Sequence, residues 1–434
     1  MTHLPAILRI FIIFALVLFA IRKNVALGHV FTGSAIVLGF LFGMDPVHLG
    51  VAAFHALTHP KTLALACVVS LILVLSHSME KAKEMERLLE AFRGIIGNPR
   101  LNVVIFPALI GLLPMPGGAI FSAPMVKNIG GRFGLTPPQL SYINYWFRHI
   151  WEYWWPLYPG ILLTTALAGI DLWKFVLSTL PLTAVAVFIG YRTLKFGGLR
   201  EQSSSANLAH STPLRPFLVR LIPIAIVIGG GLGLGAIFNY TMSGEIQKIS
   251  RELGLIVSLC CAIAFVWIKS RFRLTECVAI LTTKQLVRMF YMVCSILIFK
   301  GILQESQAAE AITRELLALH IPLISVCVVL PFLMGMITGI TVAFVGTTFP
   351  IIIALVQNLG ESQFLLQYLM LSLVSGFVGV MLSPVHLCLL LSNEYFQTTM
   401  PPVYRYLLMP CSVVLIFALS YFEVLRLGFA FLRS

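Results

Sequence analysis

The stretch LPMPGGAIFSAPM, Leu113 to Met125, lies inside one of the most apolar regions of the chain. Its first two prolines and its adjacent glycines are among the poorest helix formers. The flanking arms, 101–113 and 119–129, each give about 17–20 Å of helix, too short to cross about 30 Å of hydrocarbon. We therefore predict a re-entrant hairpin over 101–129, with its tip near mid-membrane, where a cavity or neighbouring protein satisfies the free backbone groups.

The composition around this hairpin is that of a membrane protein. The chain has 434 residues, 59% hydrophobic and 11% charged, and its mean hydropathy is +0.94. So little polar surface cannot cover a soluble core of this size, which predicts an all-α polytopic membrane protein. Full spans are expected at 5–21, 25–43, 61–78, 172–192, 216–238, 254–268, 285–303 and 403–425.

The eight cysteines show no CxxC pattern, and seven of them lie in apolar segments. We interpret them as small buried side chains and expect neither a disulfide framework nor a metal site built on them. No cofactor is expected.

Two halves of the chain share landmarks in the same order. The charged helices Met79–Arg93 and Leu303–Leu317 each precede an interrupted apolar stretch, and FPALIGLLP from Phe106 matches LPFLMGMIT from Leu330. A second hairpin is then expected at 321–357, and proline-broken helices at 138–169 and 362–396. We predict an N-terminal repeat at 1–194, a cytoplasmic linker at 195–215 and a C-terminal repeat at 216–434. Each repeat would cross the membrane about five times, and an odd number of crossings makes the repeats inverted.

The basic residues support one orientation. The chain has a net charge of +13, and its basic residues are concentrated in short loops on one predicted side, as the positive-inside rule requires. They do not form a single face suited to nucleic acid. We expect a multi-pass protein of the cytoplasmic (inner) membrane with both termini outside.

Hydroxyls and unwound backbone at the hairpin tips suit a small ligand. The motifs TGIT, Thr338–Thr341, and GTT, Gly346–Thr348, offer oxygen ligands for Na⁺, and half-helix N-termini favour an anion. The alternative is that these hydroxyls bond to the preceding turn of their own helices. The candidate substrate-binding residues are Pro114, Pro116, Gly117, Gly118, Ser122, Arg148, Thr338, Gly339, Thr341, Thr347, Thr348 and Ser383.

The first broken helix, YINYWFRHIWEYWWPLYPG from Tyr142, holds the costliest membrane residues. Arg148, His149 and Glu152 fall on one helical face together with Tyr145, and Arg148 can pair with Glu152 one turn later. Either Arg148 binds an anionic substrate, or the charges form a structural pair beside an interfacial belt of tryptophans. The candidates for binding a coupling ion or proton are His149, Glu152, His386 and Asn393.

The paired hairpins and broken helices resemble the ion transporter superfamily, which includes sodium–dicarboxylate symporters and citrate carriers. LPMPGGAIFSAPM, NYWFRHIWEYWWPLYPG and SPVHLCLLLSNEYF resemble the domain of unknown function 401 family within it. The resemblance implies a dimerising scaffold domain and a mobile transport domain that work by an elevator mechanism. In the dicarboxylate symporters each tip carries Ser-Asn-Thr; here Pro114–Gly118 replaces the first motif and Thr338–Thr341 lacks the asparagine, so coupling to Na⁺ or H⁺ stays open.

These observations favour a secondary active transporter, not an enzyme, that carries a small organic anion such as a carboxylate with H⁺ or Na⁺. The expected partners are that anion, the coupling cation, the lipid bilayer and a second copy of the chain in a homodimer. A cation/proton antiporter of the same architecture is the alternative. An intramembrane enzyme is a distant one, because no HExxH motif or pair of membrane aspartates is present.

Overall fold

The computed structural model describes residues 4–92, 95–96, 98–115, 117–194, 214–247 and 249–431. Within these ranges every regular element is a helix. Eight segments of the described chain are long and apolar enough to cross a membrane, or nine if one strongly bent pair forms a single span. The prediction of an all-α polytopic membrane protein is therefore confirmed.

The helices of the first half run from the N-terminus to the predicted linker. They are α1 (Ala6–Arg22), α2 (Leu27–Leu41), α3 (Pro46–Thr58), α4 (Pro60–Lys81), α5 (Glu84–Phe92), α6 (Pro99–Gly111), α7 (Ala119–Gly131), α8 (Pro137–Arg148), α9 (Pro159–Ala168) and α10 (Leu172–Arg192).

The helices of the second half follow the linker, of which 195–213 lie outside the described residues. They are α11 (Leu214–Thr241), α12 (Gly244–Gln247), α13 (Ser250–Lys269), α14 (Leu274–Leu281), α15 (Lys284–Glu305), α16 (Ala308–Ala318), α17 (Leu323–Thr338), α18 (Thr341–Asn358), α19 (Leu365–Met381), α20 (Leu387–Tyr395) and α21 (Met400–Phe431).

Each predicted span overlaps a helix, but α1 and α2, with 17 and 15 residues, are not among the eight segments long enough to cross. Conversely, α18, predicted as one arm of the second hairpin, is long enough. The sequence also did not reveal the short helices α3 and α14. α3 begins where Asp45 accepts hydrogen bonds from the backbone N–H groups of Val47 and His48, at 2.9 and 3.0 Å. α14 begins where the Glu276 carboxylate accepts from the backbone N–H of Arg273 at 2.8 Å. Both are local caps at loop positions, which hydropathy windows do not detect.

The stretch around Leu113–Met125 forms two short helices, α6 and α7, that pack against each other. Each has 13 residues, about 20 Å of length. Asn98 caps α6 by accepting from the N–H of Arg100 at 3.0 Å, and Pro99 occupies the first turn, where its missing N–H costs little. Gly117, between the two helices, has a φ of +74°, a conformation that favours glycine.

The second interrupted stretch forms the packed pair α17 and α18. Gly339 ends α17 with a φ of +64°, and a Cβ there would lie 2.9 Å from Ser383 Oγ and 3.1 Å from the His386 backbone nitrogen. Glycine is therefore required twice over, by the left-handed backbone and by the close approach of the segment that follows α19.

Two helices are broken in the way that the prolines predict. α8 ends at Arg148 and α9 starts at Pro159, while α19 ends at Met381 and α20 starts at Leu387. We call the connecting residues 149–158 the first break and 382–386 the second break. α9 packs against α18, and α20 packs against α7. The helix after each break therefore contacts the second helix of the other half's hairpin.

A second group of helices consists of α11 and α13, which pack against each other and against α5 and α4. α11 and α13 come so close that a Cβ on Gly254 would lie 2.4 Å from the backbone nitrogen of Gly235. Buried Glu84 accepts from Arg220 at 2.9 Å and lies 3.6 Å from Lys269, which joins α5 to both helices. Much of the surface of α11 and α13 remains apolar and exposed, as expected for contact with lipid.

Candidate functional site

A cavity of about 1500 Å³ lies where the hairpin tips and the breaks meet. We call residues 114–118 the first tip and 338–341 the second tip. The cavity is lined by Pro114, Met115 and Gly117 of the first tip and by 336–342 of the second hairpin. The loop between α1 and α2 lines another part of the wall, through Arg22 and Asn24 among others. The end of α8 contributes Arg148, and the breaks contribute His149, Glu152, Tyr158, Pro384, Val385 and His386, with Cys388 just beyond them.

Arg148, one of the residues that line the cavity, is a buried cation: 2% of its surface is exposed. Its Nη2 donates to the Met115 carbonyl of the first tip, and its Nη1 lies 3.5 Å from Cys388 Sγ. The Nε–H is buried with no hydrogen-bond partner. The guanidinium therefore bridges the first tip to the start of α20 and keeps one strong donor unused.

The pair that helical spacing allows between Arg148 and Glu152 does not form: no ion pair joins them within 4.0 Å. The reason is local, because α8 ends at Arg148 and the chain continues in turns, so Glu152 does not lie one helical turn further along the same face. Glu152 instead accepts from Thr341 Oγ1 at 3.1 Å and lies 3.8 Å from His149 Nε2. It thus links the first break to the second tip.

Three aromatic rings pack edge-on beside Glu152. The His149 ring centroid lies 4.7 Å from that of Tyr145 and 4.9 Å from that of His386. His149 Nδ1 is 2.6 Å from the Tyr145 carbonyl oxygen, while His386 Nδ1 is buried without a partner. With Cys388, the two histidines bring one potential ligand atom each within 4.8 Å of one another, a set that could hold a metal ion.

Helix N-termini also converge on the cavity. α9 starts with Pro159 and Gly160, and α18 starts with Thr341, all of which line the wall. These two starts touch, because a Cβ on Gly160 would lie 2.5 Å from Thr341 Cγ2. His386 and Leu387 at the start of α20 line the wall as well. The positive dipole ends of these helices therefore lie at this region.

The structure brings together most of the predicted site residues. Pro114, Gly117, Arg148, His149, Glu152, Thr338, Gly339, Thr341 and His386 line the cavity. Gly118 contacts the Arg148 guanidinium and Ser383 contacts Gly339, so both lie directly behind the wall. Pro116 is outside the described residues.

The remaining predicted residues lie away from the cavity. Thr347 and Thr348 donate to the carbonyls of Ala343 and Phe344 in their own helix, at 2.9 and 2.8 Å. This is the local bonding considered above as the alternative for such hydroxyls.

Ser122 and Asn393 belong to a buried polar cluster between α7, α8 and α20. Ser122 bonds to Asn144 at 2.6 Å, and Asn393 accepts from Ser141 at 2.6 Å. Asn144 also donates to Ser392 at 2.9 Å. These contacts join the three helices.

The tryptophans of the first break bond to the end of α6. Trp151 Nε1 donates to the Ala108 carbonyl at 2.6 Å, Trp155 Nε1 to Leu112 at 2.9 Å, and the Tyr158 hydroxyl to Gly111 at 2.7 Å. These carbonyls lie at the C-terminal end of α6, where the helix offers them no further N–H partners. The aromatic run therefore satisfies the free backbone of the hairpin tip, and this is how irregular backbone is accommodated there.

Sequence reasoning missed Cys388 and Asn144 as members of this region. Cys388 looked like one more apolar cysteine, although the spacing HLC, with His386 two residues earlier, is a signal that could have raised the question. Asn144 lies one residue before Tyr145, on the helix already singled out, yet its partners come from distant segments.

No curated protein matches the sequence. The family described as Protein of unknown function (DUF401) matches residues 4–425, nearly the whole chain. This agrees with the resemblance carried by the tip and break motifs. The chain therefore belongs to the DUF401 family of membrane proteins.

Proposed function

We propose that this protein is a secondary active transporter that carries a small organic anion, such as a carboxylate, across the cytoplasmic membrane. The observation that carries the proposal is Arg148: among the described residues, this buried guanidinium beside a large cavity has no carboxylate within 4.0 Å and no hydrogen-bond partner for its Nε–H. A buried charge without a counter-ion is costly, and an anionic ligand would supply that counter-ion.

The backbone around Arg148 supports an anionic ligand. The starts of α9, α18 and α20 line the same cavity, and the positive dipole end of a helix favours a negative charge. A carboxylate fits a guanidinium well, because its two oxygens match the planar donor fork. Together these donors suit a small carboxylate better than a bare metal cation as the main cargo.

The order of elements supports an alternating-access mechanism. In each half a short amphipathic helix, α5 or α16, precedes a hairpin, and a broken helix and one long helix follow. Gly111 of α6 packs on the Arg148 carbonyl and Gly335 of α17 packs on the Gly376 carbonyl, each at 2.0 Å from a built Cβ. We infer inverted repeats at 1–194 and 216–434, a form associated with moving one bundle against another around a central site.

We assign the helices to the two domains of an elevator-type mechanism. The hairpins and broken helices would form the mobile transport domain, and α11 and α13, with their large exposed apolar surface, would belong to a dimerising scaffold. Both termini would lie outside, because the basic loops, including Arg22 between α1 and α2, then face the cytoplasm. Since Arg22 and Asn24 line the cavity, the conformation described here would open inward.

Glu152 and His149 are the proposed carriers of the coupling ion. Glu152 is 9% exposed, faces the cavity and is held by Thr341 at the second tip. This contact also favours the second candidate, a cation/proton antiporter, in which Glu152 would take the cargo cation. The unpaired state of Arg148 makes the anion transporter the stronger proposal.

Thermal unfolding of the detergent-purified protein with a panel of mono-, di- and tricarboxylates tests the proposal. A ligand at about 100 times its Kd stabilises a protein by about 2.7 kcal/mol, which is a measurable shift. The same panel in sodium chloride and in choline chloride, from pH 5 to 8, separates sodium from proton coupling. Stabilisation by sodium alone, with no carboxylate effect at any pH, would favour the antiporter.

A further inference from the structure

We infer that His149, His386 and Cys388 form a binding site for a thiophilic d-block cation such as Zn²⁺. One imidazole nitrogen from each histidine and the Cys388 sulfur lie within 4.8 Å of one another, and all three residues are buried. Small side-chain adjustments would bring them to the distances of about 2.0–2.3 Å that zinc ligands adopt. The site does not depend on anion transport.

Each of the two histidines has a ring nitrogen available to a metal ion. His149 Nδ1 lies 2.6 Å from the Tyr145 carbonyl oxygen, so Nδ1 carries the proton and donates it. This tautomer leaves the Nε2 lone pair free, which is the arrangement that metal-binding histidines usually have. His386 Nδ1 is buried and has no hydrogen-bond partner, so the ring retains capacity for a ligand.

The donor set selects the class of metal. Imidazole and thiolate together suit Zn²⁺ and related ions, whereas Na⁺ and Mg²⁺ prefer oxygen ligands. Three protein ligands leave a fourth tetrahedral position, and the Glu152 carboxylate lies 3.8 Å from His149 Nε2 on the cavity side. The carboxylate or a water molecule would complete the coordination.

The local charges permit a divalent cation. Arg148 lies 3.5 Å from the Cys388 sulfur and would repel a metal by itself. A Cys388 thiolate and the Glu152 carboxylate would offset the two charges of the metal, while the guanidinium would remain a partner for the thiolate or for an anion. Metal and anion could therefore occupy neighbouring parts of the same cavity.

A metal at this position would join residues from the two halves of the chain. His149 belongs to the first break, whereas His386 and Cys388 lie at the end of the second break and in α20. Coordination would tie the two breaks together across the centre of the site. Occupancy would therefore stabilise the folded protein.

Titration with Co²⁺, a spectroscopic substitute for zinc, tests the inference. The protein should carry no oligohistidine tag, and the exposed Cys260 and Cys261 should be serine, since both could bind metal themselves. We expect one tight Co²⁺ per chain, with visible absorption bands of tetrahedral cobalt and a thiolate-to-cobalt charge-transfer band. Zn²⁺ should displace the cobalt and raise the unfolding temperature.

Cys388→Ser should abolish the charge-transfer band and weaken Zn²⁺ binding by about tenfold or more, because it removes the soft ligand. His386→Gln should weaken binding similarly, and both variants can be checked for folding by gel filtration and circular dichroism. Cys411→Ser is the matched control, because Cys411 is equally buried but lies in α21 outside the cavity. Binding that is absent from the parent protein, or that survives unchanged in Cys388→Ser and His386→Gln, would overturn the inference.

Discussion

The Arg148 guanidinium lies against the backbone of Gly118, so closely that a Cβ built on Gly118 would fall 2.4 Å from Nη2. Gly118 has an ordinary helical φ of −57°, so space, and not backbone conformation, requires glycine there. A methyl group on Gly118 would therefore force the guanidinium to move from its position against the first tip. The two residues therefore fix where a positive charge is held in the wall of the cavity.

Gly118→Ala should displace Arg148 and weaken carboxylate binding by at least about tenfold, about 1.4 kcal/mol. The measurement is the shift in unfolding temperature at increasing carboxylate concentration. Gly131→Ala is the control, because the same added methyl at the other end of α7 meets nothing within 4 Å. Equal carboxylate affinity in both variants would show that the position of the guanidinium does not matter.

Replacing Gly117 and Gly118 with valine should abolish transport.

Arg148→Ala should weaken carboxylate binding and abolish transport while leaving a folded protein. Hydrogen bonds to charged groups contribute about 1.5–3 kcal/mol, so the loss of affinity should be about 10- to 100-fold. Arg132→Ala provides the comparison, since Arg132 is exposed at the end of α7. Isothermal titration with the best carboxylate ligand checks the prediction, and an unchanged affinity in Arg148→Ala would remove the residue from the site.

Trp155→Phe should destabilise the protein, because it leaves the Leu112 carbonyl without its 2.9 Å donor. An unsatisfied buried polar group costs about 1–3 kcal/mol, and we expect a loss in that range. Trp154→Phe is a matched control on the neighbouring residue, since Trp154 Nε1 is buried without a partner and its removal strands no carbonyl. Equal losses in the two variants would mean that the indole hydrogen bond is unimportant.

Glu152→Gln should uncouple transport. In proteoliposomes the variant should still exchange labelled for unlabelled carboxylate, but it should no longer accumulate carboxylate when a proton or sodium gradient is imposed. Glu394→Gln should behave as the parent does, because Glu394 is exposed at the end of α20. Retained accumulation in Glu152→Gln would exclude Glu152 as the carrier of the coupling ion.

The sequence predicted the large elements well, since they follow from hydropathy and from helix-breaking residues. Pro114, Gly117 and Gly339 all lie at turns between short helices, as the interruptions indicated. The short helices α3 and α14 escaped prediction because they depend on caps and not on long apolar runs.

The contacts of the site were less predictable, because they join residues far apart in the chain. Helical spacing allowed a pair between Arg148 and Glu152, but the helix ends between them and Glu152 accepts from Thr341 instead. The tryptophans were considered as a possible belt at the membrane surface; the sequence did not indicate that Trp151 and Trp155 donate to the carbonyls of Ala108 and Leu112. Composition can identify such donors but cannot name their acceptors.

The most direct test of the account is uptake of the carboxylate that best stabilises the protein into proteoliposomes with an imposed sodium or proton gradient. The account predicts accumulation above equilibrium in one of the two gradients for the parent protein and none for Arg148→Ala in either. Failure of the parent to accumulate any carboxylate in either gradient, or equal accumulation by Arg148→Ala, would contradict an organic-anion transporter built around Arg148.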